Sequence, residues 1–98
     1  MKLADLRGIS SLLPTKGTIG RRLRAARLAA DMSQAELGVF LGKMNPNAGA
    51  PRISRYERGE RDPDPETLEC LAEALGVPVA YFYATSDLLA ECILLIAR

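Results

Sequence analysis

Helix-start and helix-stop signals follow one another so closely along this chain that only short helices fit between them. Ser33 begins a capping box that Glu36 completes. Asp64 and Pro65 form a second start signal, an N-cap followed by a proline in the first helical turn. Between these signals apolar residues recur at helical spacing, and no alternating run is convincing enough to predict a strand. The sequence therefore predicts an all-α protein.

These signals also predict where each helix lies. Thr18 is the expected N-cap of the first helix, and Leu37, Phe40 and Leu41 are the expected apolar stripe of the second. The loop-like composition of residues 43–51 places Pro51 in the first turn of the third helix, which Gly59 ends in a left-handed conformation. The predicted helices cover residues 19–30, 34–41, 51–58, 65–75, 78–83 and 85–98.

Composition excludes several classes of enzyme. With no histidine in 98 residues, the chain lacks the commonest general base and a leading zinc ligand. Its two cysteines, Cys70 and Cys92, lack a CxxC spacing, and Cys70 has no basic neighbour that would activate a thiol. We therefore expect no catalytic residue, no metal site and no cofactor. The absence of a signal-peptide pattern and of a long apolar run predicts a cytoplasmic protein.

Charge is distributed unevenly along the chain, although the formal net charge is only +1. Residues 18–59 hold eight basic and three acidic side chains, a net charge of +5, whereas residues 60–98 carry a net charge of −6. Such polarity indicates a polyanionic partner on one side of the molecule. Taken alone, Arg21, Arg22 and Arg24 are better explained as a solvated helix face.

Several short motifs occur together, in order, between residues 18 and 84. They are Ile19-Gly20-Arg21-Arg22-Leu23-Arg24 with Arg27, Ser33-Gln34-Ala35-Glu36-Leu37, Ile53-Ser54-Arg55-Tyr56-Glu57-Arg58-Gly59, Pro63, Thr67-Leu68 and Leu71-Ala72-Glu73-Ala74-Leu75-Gly76-Val77. In this arrangement the chain resembles the Xre/lambda-repressor-like helix-turn-helix family of prokaryotic and phage transcription regulators. The resemblance implies a five-helix lambda-repressor-like DNA-binding domain at 18–84, preceded by an N-terminal arm at 1–17 and followed by an additional C-terminal helix at 85–98.

The resemblance also implies roles for individual residues. The second helix would cross the DNA backbone, and helix 51–58 would lie in the major groove of double-stranded DNA. Arg55 points away from the expected buried face and is the candidate for contacting guanine. An ion pair between Arg27 and Glu57 would join the first and third helices. The candidate DNA-binding residues are Gln34, Lys43, Asn47, Arg52, Ser54, Arg55 and Arg58.

The connection between the second and third helices departs from the family pattern. Between Gly42 and Ile53 it is about five residues longer than the usual tight turn. Ala50 and Pro51 then fall at positions that often read bases, and neither side chain has a polar group. Two alternatives follow: Asn45 or Asn47 reads bases instead, or sequence specificity is low.

The final helix is apolar nearly all the way round, so a monomer of this size covers only part of it. One alternative is that residues 1–17 fold over it. The favoured alternative is a homodimer interface formed by Leu88, Leu89, Cys92, Ile93, Leu95 and Ile96.

Together these features predict a sequence-specific DNA-binding transcriptional regulator, acting as a dimer on half-sites about 34 Å apart. A repressor is expected, and no enzymatic activity. The alternative is a protein-interaction module, such as an antitoxin-like or adaptor protein, on the same scaffold.

Overall fold

The computed structural model describes residues 17–41 and 46–97, with the side chains of 17–41 and 49–97. The described chain is helical throughout and contains no strand. Its elements in chain order are α1 (Thr18–Ala29), α2 (Gln34–Val39), α3 (Pro46–Glu57), α4 (Pro65–Leu75), a 3-10 helix (Val79–Tyr83) and α5 (Asp87–Ala97). None of the described helices is long and apolar enough to cross a membrane. The predicted all-α class is confirmed, while Lys43 and the arm up to residue 16 lie outside the described residues.

A single apolar core lies where the first four helices and the 3-10 helix meet. Phe82 of the 3-10 helix is completely buried. It is joined there by one leucine or isoleucine from each of α1, α2 and α3 and by two leucines of α4: Leu23, Leu37, Ile53, Leu68 and Leu71. Burial of these side chains is the main favourable contribution to folding.

The helix starts are set by local hydrogen bonds. The Ser33 hydroxyl accepts from the Glu36 backbone N–H, and the Glu36 carboxylate accepts from the Ser33 N–H, each at 3.0 Å. Asp64 likewise accepts from the Thr67 N–H at 2.7 Å. The bonds that the two carboxylates accept from the Ser33 and Thr67 N–H groups lower the pKa of Glu36 and Asp64, because each bond favours the charged form. The predicted capping box and N-cap are confirmed.

The first two helices differ in detail from their predicted bounds. Gly17, with a φ of 89°, is the N-cap of α1, so the prediction of Thr18 as N-cap was wrong and Thr18 is a buried helical residue. Helix α2 ends at Val39 rather than at Leu41. Phe40 therefore leaves the predicted apolar stripe and is about half exposed.

The largest difference concerns α3. The prediction placed residues 43–51 in a loop and began the helix at Pro51, whereas α3 begins at Pro46 and contains Pro51 in its interior. Pro46 occupies the first turn, where a backbone N–H has no partner within the helix, so a proline there costs no hydrogen bond. An interior proline disfavours a helix by about 3 kcal/mol, so tertiary contacts must offset Pro51.

The contact that offsets it is the close crossing of α2 and α3. A Cβ atom placed on Gly38 would lie 2.6 Å from the Gly49 carbonyl carbon, so the two backbones touch at this point. Only glycine at both positions permits this approach. The prolonged N-terminal part of α3 thus packs directly on α2.

Helix α3 ends where the sequence predicted. Gly59 has a φ of 73°, and the backbone N–H groups of Gly59 and Glu60 donate to the carbonyls of Tyr56 and Arg55, each at 3.1 Å. This is the pattern of a left-handed helix end.

Candidate nucleic-acid interface

The candidate interface is built on the pair formed by α2 and α3, which α1 supports from behind. Gly20 of α1 lies against the end of α3, where an added Cβ would contact the Tyr56 carbonyl oxygen and lie 2.8 Å from that of Glu57. Helix α3 is therefore held on two sides by backbone contact, at Gly38 and at Gly20. A helix supported in this way presents its remaining face in a defined direction.

The residues along α3 divide clearly between the core and the surface. Ile53 and Tyr56 are buried, whereas Arg55 is exposed. Ser54 is partly exposed and lies beside Arg55. This confirms the predicted outward orientation of Arg55, which follows from a rotation of about 200° between positions two apart on a helix.

Arg52 is less free than Arg55. It is partly buried, and its Nη2 donates to the Tyr56 hydroxyl at 3.2 Å, one helical turn away. The positive charge of Arg52 also contributes to the lowered pKa of Asp64, after the hydrogen bonds from Thr67. The side chain of Arg52 is thus oriented by contacts within the protein.

The predicted ion pair between Arg27 and Glu57 is present and has two hydrogen bonds. Arg27 Nε and Nη2 donate to the Glu57 carboxylate oxygens at 2.6 and 3.0 Å. The side chains are only 10% and 4% exposed. The hydrogen-bonded carboxylate of Glu57 raises the pKa of Arg27, which favours the charged guanidinium. Arg27 Nη1 also donates to the Met32 carbonyl at 2.8 Å, which ties the turn after α1 to the pair.

Gln34 joins the same cluster. Its Nε2 donates to Glu57 Oε1 at 3.2 Å, so the side chain at the start of α2 is held by the end of α3. The sequence predicts a DNA contact for Gln34 but does not reveal this hydrogen bond. The predicted DNA contact of Gln34 stays a prediction.

The remaining candidate residues are either at the surface or not described. Arg58 forms an ion pair with Glu60 at 2.6 Å, with the two side chains 62% and 57% exposed. Such an exposed pair is weak and easily exchanged for another partner. The backbone of Asn47 lies in α3, but its side chain, like the whole of Lys43, is outside the described residues.

Arg22 is buried, although the sequence favours a solvated position for it. Its exposed fraction is only 6%. Its Nε donates to the Ala84 carbonyl at 2.8 Å, and its Nη1 to Asp87 at 2.9 Å. The signal that would have revealed it is its position next to Leu23 and four residues before Ala26, which puts it on the buried face of α1.

Two free cysteines, Cys70 and Cys92, belong to the described residues. No group of three or more potential metal ligands occurs among the described residues. The Cys70 thiol donates to the Phe40 carbonyl at 2.7 Å, and Cys92 is exposed on α5. Every buried polar side-chain atom in the described part has a hydrogen-bond partner.

Similar proteins place the fold in a known class. The family profile described as "Helix-turn-helix domain" matches residues 18–81. The crystal structure of transcriptional regulator BswR superposes with a TM-score of 0.75 at 43% identity, covering 81% of this chain and 77% of that one. HTH-type transcriptional regulator ImmR of Bacillus subtilis (strain 168) is 34% identical over 70 residues, which are 71% of this chain. The chain spans about half the length of that curated relative, 51%.

The described helices, together with the family match over residues 18–81, define a helix-turn-helix domain. The motifs between Thr18 and Ala84 and the matches to BswR and ImmR specify the class further. The chain belongs to the Xre/lambda-repressor-like helix-turn-helix family.

Proposed function

We propose that this chain is a sequence-specific DNA-binding transcriptional regulator that inserts α3 into the major groove. The observation that carries the proposal is the exposed Arg55 on a helix whose Ile53 and Tyr56 side chains are buried. An arginine in this position can form two hydrogen bonds with guanine, worth about 1–3 kcal/mol of discrimination between bases. The bidentate Arg27–Glu57 pair supports the same role because it holds α3 rigidly on α1.

The other candidate contacts follow from this placement. Arg58 can exchange the weak pair with Glu60 for a phosphate, and the prediction of backbone contacts by Lys43 and Gln34 belongs to the same proposal. Arg52 and Ser54 flank Arg55 on α3 and would contact either a base or a phosphate. Asn47, whose backbone lies in the first turn of α3, remains a candidate for a base contact.

The experiment uses duplexes selected by the wild-type protein from a random-sequence pool. Arg55→Ala should reduce the affinity ratio between selected and scrambled duplexes by the roughly 1–3 kcal/mol of one base contact. Arg58→Ala and Lys43→Ala should instead weaken binding to both duplexes alike. Each should reduce the slope of the logarithm of affinity against the logarithm of salt concentration by about one. Arg21→Ala, an exposed arginine on α1, is the matched control.

The salt dependence separates this function from the alternative of a protein-interaction module. A phosphate-binding protein must lose affinity steeply as salt rises, because binding releases counterions. If the protein does not bind DNA, or binds it with an affinity that does not change with salt, the protein-interaction module is favoured. Equal effects of Arg55→Ala and Arg58→Ala on discrimination would contradict the assigned contacts.

We further propose that the regulator acts inside the cell as a homodimer through α5. Two apolar stripes run along this helix. Leu89, Ala90, Ile93 and Leu94 pack against the core. On the other side Leu88, Leu95 and Ile96 are 75%, 62% and 84% exposed, next to the exposed Cys92.

A second copy of the chain suits the outer stripe for two reasons. Residues 88, 92, 95 and 96 have the spacing at which one helix face meets an identical face about a two-fold axis. A dimer also joins two copies of α3, and linked binding raises affinity without any new contact. Leu89 and Ile93, also predicted for this interface, are partly buried on the stripe that packs against the core. Repression is the expected sign of regulation, since a bound dimer occupies DNA without further activity.

A further inference from the structure

The attachment of α5 to the rest of the molecule depends on very few residues. Ala90 is the one buried residue of α5 among those described, and its apolar neighbours are only partly buried. Three residues, 84–86, connect the 3-10 helix to α5 without regular structure; they are called here the connection. Apolar contact is not directional, so packing of this kind leaves the angle of α5 poorly defined.

Arg22 supplies directional bonds at both ends of the connection. Its Nε donates to the carbonyl of Ala84, the first residue of the connection, which is itself buried. Its Nη1 donates to Asp87, the first residue of α5. Because the guanidinium group is planar and rigid, its buried bond to Ala84 fixes the plane from which Nη1 meets the exposed carboxylate of Asp87 at the start of α5.

The surroundings of Arg22 keep this plane in place. Arg22 is 6% exposed, and the buried Tyr81 lies close enough for the two side chains to interact. Burial raises the pKa of the Tyr81 hydroxyl, so the phenol stays neutral. At the other end, the Ser86 hydroxyl accepts from the Leu89 N–H at 3.1 Å and caps α5 immediately after the connection. Each end of the connection is thus held by a separate bond.

We propose that Arg22 is the positioning residue that sets the angle between the helix-turn-helix domain and α5, and so determines which half-site spacing the dimer reads. The inference rests on the proposed function, because it takes α5 as the dimer interface and α3 as the reading helix. A fixed angle matters for DNA recognition because each base pair added between two half-sites moves one of them by about 3.4 Å and turns it by about 35°.

The test varies the spacing of two half-sites taken from a duplex that the wild-type protein selects from a random-sequence pool. The variants are Arg22→Lys, which keeps the charge but not the planar fork, and Asp87→Ala, which alters an exposed side chain. Arg21→Lys is the matched control, being the same substitution at the adjacent exposed position. Circular dichroism and sedimentation establish that each variant is folded and dimeric.

The wild type and Arg21→Lys should prefer one spacing. For Arg22→Lys the preference should fall at least about fivefold, the lower range of coupling between two sites. Asp87→Ala should show a smaller loss, because the bond to Ala84 remains. Affinity for a single half-site should change less than twofold in every variant, which a general loss of folding would not allow.

A measurement without DNA separates failure of the inference from failure of the proposed function. Spin labels at Arg24→Cys on α1 and Ala97→Cys at the end of α5, with Cys70→Ser and Cys92→Ser, report the distance between the two helices. Labelled protein is diluted into an excess of unlabelled protein. Arg22→Lys should broaden the distance distribution, while Arg21→Lys should leave it unchanged.

An unchanged distribution in Arg22→Lys overturns the inference and leaves the proposed function standing. A wild type that binds the selected duplexes without preferring a spacing overturns it as well. A wild type that binds no duplex refutes the proposed function together with the spacing role, even where the distance distribution responds to Arg22→Lys.

Discussion

At the scale of single residues, burial decides which charged pairs matter. The Arg27–Glu57 and Arg58–Glu60 pairs both have N–O distances of 2.6 Å, but only the first is buried. Breaking a buried pair leaves an uncompensated charge in a medium that solvates it poorly, whereas water replaces an exposed partner. Two ion pairs with the same N–O distance therefore contribute differently to the free energy of unfolding.

Glu57→Ala should lower the free energy of unfolding by about 3–5 kcal/mol, because Arg27 would stay buried without its carboxylate. Gln34 would lose its hydrogen bond to Glu57 as well. Urea denaturation measures the change. Glu60→Ala is the matched control and should cost less than about 1 kcal/mol. Equal losses in the two variants would contradict the structural role of the Arg27–Glu57 pair.

At the scale of helices, α2 and α3 show how a tertiary contact overrides local preference. Intrinsic propensity places Pro51 at a helix start, yet the helix begins at Pro46. The close crossing of Gly38 and Gly49 accounts for this difference. The position of α3 thus depends on two residues that have no side chain.

Gly38→Ala tests this crossing, because the contact and helix propensity predict opposite signs for the change in the free energy of unfolding. Helix propensity alone would make alanine more stable by about 1 kcal/mol. The methyl group would instead meet the Gly49 backbone, and we expect a net loss of about 1–3 kcal/mol in urea denaturation. Val39→Ala, at an exposed position of the same helix, should have a smaller effect. A stabilised Gly38→Ala variant would show that the helices do not touch there.

The N-cap of α4, Asp64, makes the stability of the fold depend on pH. Because the hydrogen bond from Thr67 lowers the pKa of Asp64 in the folded state, the charged carboxylate stabilises the fold above the unfolded pKa, about 3.9. This stabilisation is lost as the pH falls below about 4, through the lower folded pKa. Asp64→Asn keeps an acceptor without titrating, so its Tm should fall less steeply with acid. Asp62→Asn, which lacks the Thr67 bond, should follow the wild type.

At the scale of the whole molecule, exposed arginines and the exposed apolar stripe lie on different elements. Arg21, Arg24 and Arg55 are exposed on α1 and α3, whereas the apolar stripe belongs to α5. In the proposed function the first surface meets DNA and the second meets another copy of the chain. The two proposed interfaces share no residue.

Leu95→Glu should convert the dimer to a monomer, because it places a charge in the middle of the apolar stripe. Sedimentation measures the oligomeric state. Affinity for a duplex with two half-sites should then fall by about a hundredfold or more, the usual gain from linked binding, while single half-site affinity stays constant. Ala25→Glu introduces the same charge at an exposed position of α1 and should remain dimeric. A dimeric Leu95→Glu protein would rule out α5 as the interface.

The sequence by itself determined the features that depend on neighbouring residues. The capping box at Ser33, the N-cap at Asp64 and the left-handed end at Gly59 each require only a few adjacent side chains or one backbone conformation. The outward direction of Arg55 follows from helical geometry once Ile53 is buried. The family motifs added the Arg27–Glu57 pair, which spacing alone does not reveal.

The tertiary structure decided what depends on residues far apart in the chain. The start of α3 required the backbone contact of Gly38 with Gly49, and the burial of Arg22 required partners more than sixty residues away at Ala84 and Asp87. Local propensities differ by roughly 1 kcal/mol or less per residue for most amino acids. A buried charge or a backbone clash outweighs such differences, and its partners are known only once the helices are packed.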